Sequence, residues 1–117
     1  MPADITLDKA YKVGAAKVSF SLLIGEGQFG RTDVRLNTER LVRVSGPIGD
    51  LLIGKGSDIS GKTLRVRSIV HDTVSATNLM TVTYMLSGGA DEKEFLSSGE
   101  VERDGGNLIF EAKFLFE

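Results

Sequence analysis

"GSDISGKTLRVRSIVH" occupies residues 56–71, and two architectures compete for it. Its first eight residues match G-x-x-x-x-G-K-[ST], the pattern of a loop that holds nucleotide phosphates. Such a loop works only in its setting. A buried strand feeds it and a helix starts at the Lys-[ST], so that free N–H groups and the positive helix end face the phosphates. Here Lys62-Thr63 is followed by Leu64, Arg65, Val66, Arg67, Ser68, Ile69 and Val70. These residues are rich in β-branched side chains, and their Arg-Val-Arg alternation has period two, not 3.6. A strand therefore begins where the phosphate loop needs a helix. "SIVHD" follows too closely to serve as a magnesium-holding strand, because no helix and further strand fit between. The stretch reads as a glycine-rich turn between strands, and a nucleotide-binding enzyme is the weakest of the functional readings.

The same period extends through the chain. Val18, Phe20 and Leu22 alternate with Lys17, Ser19 and Ser21. Thr32, Val34 and Leu36 share one face, with Arg31, Asp33 and Arg35 on the other. Val42 and Val44 follow; then Leu64, Val66 and Val70; then Met80, Val82, Tyr84 and Leu86. Leu108, Phe110, Ala112, Phe114 and Phe116 close the chain. Strands buried on one face read this way. "EFLSSGEVE" is a weaker strand, with Phe95 and Val101 pointing one way and Gly99 marking a bulge. Glycine clusters separate the runs, and Asp104-Gly105-Gly106 predicts a hairpin joining "GEVE" to "NLIFEAKFLF". The N-terminal "DITLDKAYK" fits a helix or a strand equally. The expected fold is all-β: residues 1–117 as a single antiparallel β-sandwich of about seven or eight strands, with a small closed barrel as the alternative.

Composition narrows the function. A chain of 117 residues is long enough to bury a core without staples. There is no cysteine, so no disulfide framework, thiolate metal site or cysteine nucleophile. The start lacks a basic stretch leading into an apolar one, and no apolar run approaches bilayer length; the chain is read as soluble and cytoplasmic, a removed leader leaving no trace. The net charge of −2 is unevenly spread. Arg31 to Arg67 holds eight basic and four acidic residues, whereas Asp91 to Glu117 holds three basic and eight acidic ones. Such asymmetry orients partners.

The candidate sites are few. His71-Asp72 would make a base pair only if the two side chains met, and neighbours on a strand point to opposite faces. One histidine and no cysteine leave no tetrahedral zinc set. Calcium needs only oxygen ligands, and Asp50, Asp58 and Asp72 are the candidate loop aspartates for a calcium-binding module, although their spacing is not that of an EF-hand. Turns favour aspartate in any case. Arg31, Arg35, Arg43, Arg65 and Arg67 fall outward on their strands; on neighbouring strands they would form a basic patch. No aromatic alternates with them as single-stranded nucleic acid binders require, and pairing with Glu100 and Glu102 is the expected alternative. Absence of tryptophan, with only Tyr11 and Tyr84 as tyrosines, argues against a sugar platform.

Seven apolar residues also point outward: Leu23, Leu41, Ile69, Leu79, Met85, Ile109 and Leu115. Contiguous patches of this kind mark association surfaces. Either they meet a partner, with Leu79, Ile109, Met85 and Leu115 as the candidate interface, or Ile5, Leu7 and Tyr11 fold over one of them. The reading is a non-catalytic interaction module that self-associates or docks on a protein. A ligand- or calcium-binding sandwich is the rival.

Overall fold

In the computed structural model, which describes residues 4–73, 77–101 and 106–117, the alternating runs become nine strands and one helical turn. In chain order these are β1 (Ile5–Tyr11), β2 (Lys17–Ile24), β3 (Phe29–Leu36), β4 (Glu39–Ser45), β5 (Ile48–Lys55), α1 (Gly56–Ile59), β6 (Thr63–His71), β7 (Leu79–Ser87), β8 (Lys93–Glu100) and β9 (Asn107–Phe116). They form a five-stranded sheet, β1-β9-β6-β3-β4, packed on a four-stranded sheet, β5-β2-β7-β8. The fold is a β-sandwich and does not close into a barrel.

Between the sheets lies the core that the alternation marks. Val18, Phe20, Leu22, Val34, Leu64, Val66, Val70, Met80, Val82, Tyr84, Phe110, Ala112, Phe114 and Phe116 are fully buried. Phe114 is its aromatic hub: its ring centroid lies 6.3 Å from Phe20, 5.6 Å from Tyr84 and 5.4 Å from Phe95. One polar pair interrupts this apolar layer. Thr32 and Ser68 stand opposite each other on β3 and β6, fully buried, with their hydroxyls 2.7 Å apart. A buried hydroxyl needs a partner, and each supplies the other's.

Four expectations are corrected. Strands number nine among the described residues, not seven or eight, because the N-terminal segment is a strand and so is Ile48–Lys55, whose sequence shows no regular alternation. The sandwich is not purely antiparallel: β1 pairs in parallel with β9, from Ile5↔Phe110 to Tyr11↔Phe116. Alternation reports which side is buried and carries no direction, so it could not reveal this. The predicted hairpin between β8 and β9 is a crossing from one sheet to the other, since β8 pairs with β7 while β9 pairs with β6 and β1. Asp104 and Gly105 themselves lie outside the described residues. Gly99 is not a bulge. Its pairing with Met80 is regular, and a Cβ there would stand 2.9 Å from the side-chain tips of Ile5 and Leu108. The glycine lets the sheets approach.

Tyr11 and Gln28, which no sequence pattern singles out, tie the ends of the sandwich. The Tyr11 hydroxyl donates to the Asp91 carbonyl at 2.6 Å and accepts the Gly89 N–H at 3.0 Å, pinning the β7–β8 hairpin to β1. The buried Gln28 accepts the Thr73 N–H at 2.7 Å and donates to the carbonyls of Thr77 and Leu79, clamping the connection between β6 and β7.

Candidate interaction face

The topology places β9, β6, β3 and β4 side by side, and it thereby gathers the arginines. Registers read across the outer surface of these strands give successive rows. The first is Lys113–Arg65–Arg35–Arg40, four cations abreast. The next is Glu111–Arg67–Asp33–Arg43. Then come Ile109–Ile69–Arg31–Ser45 and, at the end of the face, Asn107–His71–Phe29. All five arginines expected to form a basic patch are in these rows, joined by Arg40 and Lys113. On these four strands seven cations face two carboxylates, and at the margin β1 sets Asp8 beside Lys113.

Like charges directly opposite one another repel, so four cations abreast need neutralising neighbours. Asp33 and Glu111 in the adjacent row supply them. Asp33 meets Arg35 at 3.4 Å and Arg40 at 3.3 Å; Glu111 meets Arg67 at 2.8 Å and Lys113 at 4.0 Å. Glu100, expected as an arginine partner, is on β8 in the other sheet, opposite Leu79, and cannot reach them. Glu102 lies outside the described residues. Arg31, Arg43 and Arg65 form no ion pair with any described residue. A depression of about 250 Å³ on this surface is lined by Arg31, Asp33, Arg40, Arg43, Arg67 and Ile69.

Beside the charge grid is an apolar end that the sequence reading missed. Phe29, two residues before Arg31 on the same side of β3, is 50% exposed. It adjoins His71, with Ile69 and Ile109 in the next row. The statement that no aromatic accompanies the arginines is therefore corrected at one position. Its signal, a phenylalanine in step with Arg31, Asp33 and Arg35, was present in "FGRTDVRL".

The other candidates are scattered. Leu79 and Met85 lie on the outer side of β7 in the four-stranded sheet, whereas Ile109 and Leu115 lie on the opposite outer surface, on β9. The four do not make one patch. Ile5, Leu7 and Tyr11 cover neither surface; their side chains turn toward the core from the sheet edge. Asp50 lies early in β5, Asp58 in α1 beyond its far end, and Asp72 after β6 at the other end of the sandwich. Among the described residues no three acidic or histidine side chains converge as a metal would require. His71 is exposed at the end of β6, and Asp72, just past the strand, is buried.

In the "GSDISGKT" stretch, α1 is one turn, and β6 starts at Thr63 with no helix after Lys62. Four of its amides are engaged by backbone carbonyls. Gly56 donates to the Ala16 carbonyl, Ser60 to Gly56, Gly61 to Phe116 and Lys62 to Ile59, all within 3.0 Å. The amides of Lys62 and Thr63, where a phosphate loop opens its helix, are both occupied, Thr63 donating to the Asn37 side-chain oxygen at 2.9 Å.

Tyr84 is the buried group with the strongest electrostatic perturbation. Burial pushes its phenol well above the ordinary tyrosine range, with the nearby Ser97 side chain acting weakly the other way. Its hydroxyl makes no hydrogen bond of good geometry among the described residues and sits in the core rather than at a surface. No helix among the described residues is long and apolar enough to cross a membrane. Comparison with family models, curated proteins and solved structures finds no match to this chain.

Proposed function

We propose that this sandwich is a non-catalytic interaction module that docks on an acidic protein surface through the outer face of its five-stranded sheet. The observation that carries this reading is the row structure: seven cations on one face, with Arg31, Arg43 and Arg65 forming no ion pair among the described residues. Arginine and aromatic residues are enriched where proteins meet, and this face sets Arg31 beside Phe29 and Ile69. Guanidinium groups engage carboxylates through paired hydrogen bonds and keep their charge at every physiological pH. Neighbouring paired strands of one sheet carry them.

Nucleic acid is the other polyanion that such a face could meet. A single aromatic at its end does not make the stacking platform that single strands use, and no described element projects into a groove. The test is fluorescence anisotropy with a labelled glutamate-rich peptide and a single-stranded oligonucleotide of equal charge. The peptide should bind saturably, and Arg31→Gln/Arg43→Gln/Arg65→Gln should weaken it by at least about tenfold. Tighter binding of the oligonucleotide through the same arginines would transfer the face to nucleic acid. No binding of either would end the proposal.

A further inference from the structure

The arginine face takes so much positive charge from a nearly neutral chain that the rest of the surface is left strongly acidic. Outside those seven cations and two carboxylates, the sequence holds fourteen acidic residues and seven basic ones. The surplus is concentrated on the β7–β8 hairpin and β8. Asp91, Glu92, Glu94 and Glu100 are exposed there, with Lys93 the single intervening cation, and none of them is ion-paired to a described residue.

Strand β8 points Glu94, Leu96, Ser98 and Glu100 outward. Leu96 is 64% exposed, more than any other large apolar residue described. Successive outward residues stand about 7 Å apart, so the two carboxylates bracket Leu96 along roughly 20 Å of strand. The arginine face has the matching composition with opposite sign: Phe29 in its end row and Ile69 and Ile109 in the next, beside Arg31, then cations. Strand β8 is also an edge of its sheet, accessible without stacking one whole sandwich on another.

From this complementarity we infer that the acidic partner is a second copy of this chain, which presents the outward side of β8 to the arginine face. The inference rests on the docking reading above and adds the identity of the partner. The two surfaces belong to different sheets of one molecule, so each copy offers both at once. The contact is heterologous, and it generates rings or open chains rather than a closed two-fold pair. Charge fixes its orientation, while Leu96 on one side and Phe29 with Ile69 on the other supply apolar area.

Two sets of neutralising substitutions at exposed positions test this. Arg31→Gln/Arg43→Gln/Arg65→Gln removes the face and keeps the edge. Glu92→Gln/Glu94→Gln/Glu100→Gln removes the edge and keeps the face. In low-salt sedimentation velocity the unaltered chain should exceed its 12.6 kDa monomer mass increasingly with concentration. It should return to monomer near 0.5 M salt, where the screening length falls below about 5 Å. Each variant alone should stay monomeric, and an equimolar mixture should form dimers and nothing larger, because each dimer lacks a second working surface. A monomeric mixture overturns the inference, as does assembly by either variant alone. If the unaltered chain is monomeric yet binds the glutamate-rich peptide, the second-copy inference fails while the docking reading stands. If it binds no peptide either, both fail.

Discussion

The hydroxyl pair at the centre of the sandwich makes a sharp energetic prediction. Thr32 and Ser68 sit within an inward row that runs Val44–Thr32–Ser68–Phe110, with no solvent contact and an oxygen–oxygen distance of 2.7 Å. Thr32→Val keeps the shape but removes Oγ1, which strands the Ser68 hydroxyl in an apolar layer. A buried polar group without its partner costs about 1–3 kcal/mol, so this single change should destabilise by about 2 kcal/mol. Ser68→Ala does the same to Thr32, with a small added loss of packing. When both are replaced no polar group remains to be satisfied, and the double variant should cost no more than about 1 kcal/mol. The interaction term of the cycle is then about 3 kcal/mol, at the upper end for contacting residues. Urea unfolding reads this directly. With a denaturant slope of about 1–3 kcal/mol per molar, each single variant should lower the midpoint by about 1 M, and the double variant should recover most of it. Additive single effects would show that the two hydroxyls do not depend on one another, and the reasoning would be wrong.

Other consequences follow from the same coordinates. Because burial raises the Tyr84 phenol, its proton stays on in the folded chain at pH values where the unfolded chain loses it. Stability should therefore fall as pH rises above about 10, by up to about 1.4 kcal/mol per pH unit, and Tyr84→Phe should flatten that decline relative to the unaltered chain. An identical decline in both would exclude this cause. Lys62→Ala, in an exposed turn, should change stability by less than about 0.5 kcal/mol. Calorimetry with Mg-ATP should show no saturable heat for either form; micromolar binding lost in the variant would restore the phosphate-loop reading. Gly88 has φ +91°, and a Cβ there would overlap the Lys17 carbonyl oxygen. Gly88→Ala should cost well over about 1 kcal/mol in thermal unfolding, and an unchanged melting temperature would show that the hairpin shifts freely.

What the sequence discloses is parity, and what it hides is pairing. Val18, Phe20 and Leu22, or Met80, Val82, Tyr84 and Leu86, are placed inward by alternation alone, because a strand with one dry side must repeat every second residue. The same rule sends Arg31, Arg43 and Arg65 outward. It cannot say that β3, β4 and β6 are neighbours, which is what turns separate arginines into a face. Nor can it distinguish the two outer surfaces, so Leu79 and Ile109 read as one patch although they lie on opposite sides. Glycine clusters announce that the chain turns, not whether it returns to its own sheet or crosses to the other, which is why the β8–β9 crossing read as a hairpin. Tyr11 and Gln28 act through backbone groups far away in sequence, Tyr11 reaching Asp91 and Gln28 reaching Thr73, and no local pattern marks such contacts.

The central claim is that the arginine-bearing surface of the five-stranded sheet is the docking surface. Amide chemical-shift mapping of the chain, titrated with the glutamate-rich peptide, locates the contact directly. The account predicts saturable shifts confined to β3, β4, β6 and the facing part of β9, centred on Arg31, Arg43, Arg65 and Ile69. Shifts centred instead on β2 and β7, or none at peptide concentrations that saturate anisotropy, would contradict it.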